Sequence, residues 1–135
     1  MDQEELHETL LFLDDWMDRY QHIIDMGKTL AALADDEKND VSKVTGCLSQ
    51  VWLVRDDKGD GKLHLRGDSD SAIVRGLIAV LFVLYDDKTA DEARAVDLDA
   101  FFADVGLQEH LSPNRRNGFY AMVQRILGFA LGMGA

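Results

Sequence analysis

The sequence predicts an α+β fold, with helices packed on a small antiparallel sheet. Apolar residues recur at helical spacing near both ends of the chain. Two short strand-like runs flank a turn-rich segment in the middle. A long, almost wholly apolar helical pattern follows them. The 135 residues fit one domain spanning 1–135, large enough to bury a core without metals or disulfides.

Each element has a local signal. Leu6, Leu10, Leu13, Met17, Tyr20 and Ile24 alternate steps of four and three, marking one face of a helix, or of two helices in series, that ends at Gly27. Residues Ala34 to Lys43 are polar and read as a loop. Val51–Arg55 is rich in β-branched and aromatic residues, and Lys62–Arg66 alternates polar with apolar. Turn-forming residues Asp56–Gly61 lie between them, so a symmetric hairpin sets Arg55 opposite Lys62 and Leu53 opposite His64. That turn resembles a calcium loop only superficially, because Lys58 occupies a ligand position and no Glu closes it. Asp68, Ser69 and Asp70 offer caps for a helix from Ala72 to about Tyr85, central and buried by its composition. A short helix near Asp97–Asp104 places Phe101 and Phe102 in the core. Ser112 caps a last helix with Pro113 at its first position, and Phe119, Met122, Val123, Ile126, Leu127 and Ala130 form its apolar face. Trp52 is expected in the core.

The charge balance narrows the partners. With 25 acidic and 14 basic residues, the net charge of −11 argues against nucleic acid and against anionic membrane surfaces. It suits solubility or a basic protein partner. The longest strongly apolar run, Leu77–Tyr85, is too short for a membrane span. Met1–Glu5 is acidic and has no apolar signal core, so the expected compartment is the cytoplasm. His7, His22, His64 and His110 are scattered, which predicts no metal site, and no glycine-rich phosphate loop precedes a helix.

Cys47 is the sole cysteine, so its thiol forms no internal disulfide. It is either a reactive group or a small buried hydrophobe. The hairpin puts it at the open end, near Asp68–Asp70 and the start of the central helix. Six residues separate it from Leu53, about 20 Å of extended chain, which disfavours a dyad with His64. A helix N-terminus there would favour the thiolate and a nearby carboxylate would oppose it. Such a thiol suits a group that accepts something and hands it on. It suits a hydrolytic nucleophile less, since that needs a closely paired base.

Four blocks carry a family resemblance. Tyr20–Gly27, Thr45-Gly46-Cys47-Leu48-Ser49-Gln50-Val51-Trp52-Leu53, Leu65–Leu77 and His110–Gly118 resemble, in order, the signatures of the SufE sulfur-acceptor proteins. The resemblance implies the SufE/IscU-like form of the α+β fold and a sulfur-relay protein rather than an enzyme. Cys47 would be the persulfide acceptor. It would attack the outer sulfur of a persulfide on a SufS-like cysteine desulfurase, activate that desulfurase, and pass sulfur toward an iron–sulfur scaffold. Pyridoxal phosphate belongs to the desulfurase, and the chain itself needs no cofactor. The family's cysteine sits on a loop tip that apolar surroundings can shelter from oxidation.

The same resemblance suggests loop-positioning or partner-binding roles for Gly46, Ser49, Gln50, Asp68 and Arg115. Each of three has a plainer alternative: Gly46 ends a turn, Asp68 caps the central helix, and Arg115 is solvated. Leu48 stands where the family commonly has glutamine, and the proline often found before the cysteine is missing. Monomer and homodimer both stay open. Two other function classes also stay open: a cysteine hydrolase using Cys47 with His110 as base, and a binding module with an inert cysteine.

Overall fold

The computed structural model describes residues 2–46 and 49–133. In chain order the elements are α1 (Gln3–Phe12), α2 (Trp16–Gly27), β1 (Val51–Arg55), β2 (Leu65–Ser69), α3 (Ala72–Tyr85), α4 (Ala90–Arg94), α5 (Leu98–Asp104), α6 (Leu107–His110) and α7 (Pro113–Met133). The two strands form an antiparallel sheet, and a 3-10 turn occupies Asp35–Glu37. Helices on a small sheet are the α+β arrangement that the sequence predicts.

The N-terminal apolar stripe is two helices, not one. Leu13 leaves helical geometry, and Asp15 starts α2 by accepting from the Met17 N–H at 2.9 Å. The break resets the helical phase. Leu6 and Leu10 are buried, whereas Met17 is 67% exposed and Ile23 takes the inward position on α2. Later helices also carry side-chain caps, and Ser112 is the one that the sequence predicts. Asp97 accepts from the Ala100 N–H at the start of α5, and Ser112 Oγ accepts from the Arg115 N–H at the start of α7.

Helix α3 runs through the middle, as its composition predicts. Leu77, Ile78, Val80, Leu81 and Leu84 are each 0–1% exposed. Helix α2 crosses it at very short range, because glycines meet at the contact. A Cβ on Gly76 would fall 2.3 Å from the Ile23 carbonyl oxygen, and one on Gly27 would fall 2.6 Å from the Gly76 nitrogen. Phe101, Phe102, Phe119, Met122, Val123, Ile126 and Ala130 close the core from α5 and α7.

The hairpin differs from the expected one. Arg55 pairs with Leu65 and Leu53 with Gly67, so the second strand is Leu65–Ser69 rather than Lys62–Arg66. The cause is a competing partner. Leu63 N–H donates to the Lys88 carbonyl at 2.7 Å, Asp87 N–H donates to the Leu63 carbonyl at 2.8 Å, and Lys62 bridges Thr89. Leu63 thus spends both backbone groups on the segment after α3, while the Lys62 N–H donates to Asp60 Oδ1 at 3.1 Å. Gly67 sits tightly in this register, since a Cβ there would lie 2.8 Å from Leu53 Cδ2 and 3.0 Å from the Trp52 carbonyl oxygen.

Two smaller expectations are corrected here. Asp68 does not cap α3. The α3 N-cap is Ser71, whose side chain makes no capping hydrogen bond. Trp52 is half-buried outside the core, with the Lys38 ammonium 5.3 Å above its ring.

Gly76→Ala tests the helix crossing. Helix propensity alone would favour alanine by about 1 kcal/mol. Here the obstructing atoms are backbone, so overpacking outweighs that gain and the variant loses about 2 kcal/mol or more in urea unfolding. Gly128→Ala on α7, with nothing within 4 Å of the added Cβ, is the control and gains up to about 1 kcal/mol. Equal stability of the two variants would refute the close-contact account.

Candidate functional site

Residues 42–44 run antiparallel to β1 on the edge away from β2. The Leu53 N–H donates to the Ser42 carbonyl at 2.9 Å, and the Val44 N–H donates to the Val51 carbonyl at 2.8 Å. The chain between Val44 and Val51 is therefore a short loop closed at its neck. Cys47 and Leu48, in its middle, lie outside the described residues, so the expectations for both rest on the sequence.

The described flanks are well placed. Gly46 has φ +92, a left-handed conformation that side-chain-bearing residues adopt at a cost. A Cβ there would meet Ala121 Cβ of α7 at 3.4 Å. The plainer reading of Gly46 as a turn former and the loop-tip reading thus describe the same geometry. On the other flank, the Gln50 N–H donates to Asp70 Oδ1 at 3.0 Å, and the Asp70 N–H donates back to the Gln50 carbonyl at 3.3 Å. Asp70, read from the sequence as a helix cap, instead ties the loop to the entry of α3.

Ser49 reaches a cleft of about 210 Å³ between α3 and α7. Val74, Leu77, Phe119 and Met122 give it a buried apolar wall, while Ser112, Asn114 and Arg115 give it an exposed polar rim. Arg115 Nη1 donates to the Tyr20 hydroxyl of α2 at 3.0 Å, which holds the guanidinium against that rim. Ser49 and Arg115 therefore share one cleft.

Asp68 does not line it. Asp68 sits opposite Trp52 in the sheet, accepts from the Ser69 N–H at 2.8 Å, and lies 3.4 Å from Lys38 Nζ and 3.1 Å from Arg75 Nε. The Arg75 contact is an ion pair outside hydrogen-bond geometry, so Arg75 Nε is buried without a hydrogen bond. Asp68 therefore joins the loop before β1, the sheet and the first turn of α3.

His110 stacks on Trp16 at 4.2 Å and 10° between planes, and it is not among the residues around the cleft. That position gives the hydrolase alternative no support. Among the described residues, no group of three or more His, Cys, Asp or Glu side chains is arranged to hold a metal.

Side chains that the sequence reading passed over secure the approach to the loop. Arg66 of β2 donates to both Glu37 carboxylate oxygens and, through Nε and Nη2, to both Asp56 oxygens, at 2.5–3.0 Å. The Ser42 hydroxyl then donates to the Glu37 carbonyl at 2.6 Å. Arg125 of α7 contacts the neck directly, donating to the Val41 and Lys43 carbonyls. Arg66 lies inside one of the four sequence blocks. Nothing in the sequence distinguishes Arg125 from any other polar-face arginine.

The Arg66 cluster has a pH signature. Hydrogen bonds from Arg66 hold the Glu37 and Asp56 carboxyls below their ordinary values of 4.5 and 3.8. Depressed carboxyl values give stability that is complete above the unfolded-state values and lost as pH falls through the folded ones. The unfolding midpoint of the wild type should exceed that of Arg66→Met at pH 7. The gap should shrink between about pH 5 and pH 3. A gap that is constant over this range would remove the cluster's electrostatic role.

The chain resembles known proteins over nearly its whole length. A family model described as SufE, Fe-S metabolism associated domain, matches residues 4–130. An uncharacterized SufE-like protein of Rhizobium etli is 44% identical over 126 residues, 91% of this chain and 85% of the relative. The solution structure of a hypothetical protein from Thermus thermophilus superposes with a TM-score of 0.75 at 18% identity, over 96% of each chain. At that identity the structural match speaks for the fold alone. Among the described residues, no helix is long and apolar enough to cross a membrane.

Proposed function

Because the chain belongs to the SufE family, whose domain is associated with Fe–S metabolism, we propose that it accepts sulfur on Cys47 from a cysteine desulfurase. In this reading it activates the desulfurase and passes the sulfur on toward iron–sulfur cluster assembly. In the transfer step, the Cys47 thiolate attacks the outer sulfur of the desulfurase persulfide. The sulfur–sulfur bond of that persulfide breaks, the desulfurase cysteine leaves as a thiolate, and Cys47 carries the new persulfide. No external oxidant or reductant is consumed, as in thiol–disulfide exchange.

The observation that carries this reading is the arrangement around the chain's sole cysteine. Its loop is closed by the Val44–Val51 hydrogen bond and tied by Asp70, and two residues on, Ser49 faces a cleft shared with Arg115. An apolar wall with a cationic rim suits a polarisable sulfur group that bears negative charge. The chain's excess of acid suits a partner with a basic docking surface. The protein would work in the cytoplasm, where a lone thiol stays reduced.

Intact-mass spectrometry after incubation with a cysteine desulfurase and L-cysteine tests the proposal. The expected result is a reducible gain of one sulfur atom on the wild type and none on Cys47→Ser. No gain while the desulfurase turns over would reject the acceptor role and favour a pure binding module.

A further inference from the structure

The neck of the Cys47 loop has two edges. One faces β1, where the Ser42 carbonyl and the Val44 N–H are both used. Val41 lies in the turn before this stretch, and among the described residues no backbone N–H donates to the Val41 or Lys43 carbonyl. Arg125 reaches across from α7 and satisfies both, Nη1 to the Val41 oxygen at 3.0 Å and Nη2 to the Lys43 oxygen at 2.9 Å. The two contacts span 84 and 82 residues of sequence, so they fasten two otherwise distant parts of the chain.

We propose that Arg125 is a positioning residue for sulfur transfer: its guanidinium fixes the entering strand of the neck, Val41 to Val44, to α7, so that the neck meets the desulfurase already in place. This role rests on the sulfur-acceptor reading above. The planar fork is essential, because its two nitrogens serve two separate carbonyls while the arginine stays charged. An ammonium can approach one carbonyl well but cannot supply the same parallel pair. Asp70 holds the exit side of the loop through the Gln50 N–H, so the clamp and this tie secure opposite strands of one neck. A neck fixed in advance loses less entropy when a partner docks, and that saving appears as affinity rather than as chemistry.

The test uses the full chain with Arg125→Met and Arg125→Lys. Amide hydrogen exchange is followed at Val44, inside the neck, and at Leu81, in the middle of α3. In Arg125→Met, Val44 exchange should rise about tenfold or more, while Leu81 exchange stays within about twofold. Desulfurase stimulation should need about fivefold more protein for half-maximal effect, with the plateau rate kept within about twofold. Arg125→Lys should fall between wild type and Arg125→Met in both readouts. If Arg125→Met does not fold, Arg125→Lys carries the same comparison.

Unchanged Val44 exchange would overturn the clamp. Faster Val44 exchange with unchanged half-saturation would overturn the positioning role and leave a purely structural contact. A wild type that gains no sulfur would instead reject the acceptor reading. The exchange comparison needs no desulfurase, so it would still decide whether Arg125 holds the neck.

Discussion

Everything near the cysteine loop is placed relative to α3, and α3 is placed by how closely α2 lies against it. At Gly27 and Gly76 the two backbones touch without intervening side chains. This crossing brings Tyr20 of α2 within reach of Arg115 on α7, and it leaves the outer half of α3 free to form a cleft wall. A wider crossing would move Tyr20 outward and unseat the arginine it holds. The packing that stabilises the core and the geometry that shapes the cleft therefore depend on the same pair of glycines.

The loop carrying Cys47 is secured by contacts of a different kind. Its neck uses backbone hydrogen bonds to β1, its outer contacts are side chains from the α3 entry and α7, and Arg66 of β2 acts one step away through Glu37. Isolated ion pairs on a surface contribute little. Here, though, Arg66 engages two carboxylates and Arg125 engages two carbonyls, and forked donors fix direction as well as distance. The polar groups around the neck thus define where the loop starts and ends, while the apolar core defines what lies beneath it.

Much of this fold is legible in the sequence, for identifiable reasons. Helix α3 is readable because it is surrounded by protein, so almost every position is apolar. The cap at Ser112 is local, and the Ser-Pro pair announces it. The hairpin register is not readable. Lys62 and Leu63 alternate like strand residues, but the backbone hydrogen bonds of Leu63 go to residues 87 and 88, which no local pattern reveals. The break after α1 is legible only as an option, and Met17 falls outside once Asp15 resets the phase. Of the site, Gly46, Ser49 and Arg115 follow from the four sequence blocks, and the structure places Ser49 and Arg115 at one cleft. Asp68 belongs to a neighbouring cluster. The roles of Asp70 and Arg125 are hidden, because each binds backbone groups far along the chain, and backbone groups carry no sequence signature.

Helix α7 contributes Arg115 to the rim of the cleft and Arg125 to the neck of the loop. Ten residues of helix separate them, about 15 Å at the usual rise per residue. The helix thus serves as a measuring rod between the two. Inserting one residue within that interval would turn Arg125 by about 100° about the helix axis and away from the neck, with the cleft rim unmoved. Substitutions along the exposed side of this interval are therefore unconstrained by the rod, but its length is not. Insertions and deletions between Met122 and Arg125 would decouple the two halves of the site while leaving the cleft residues of α7 in place.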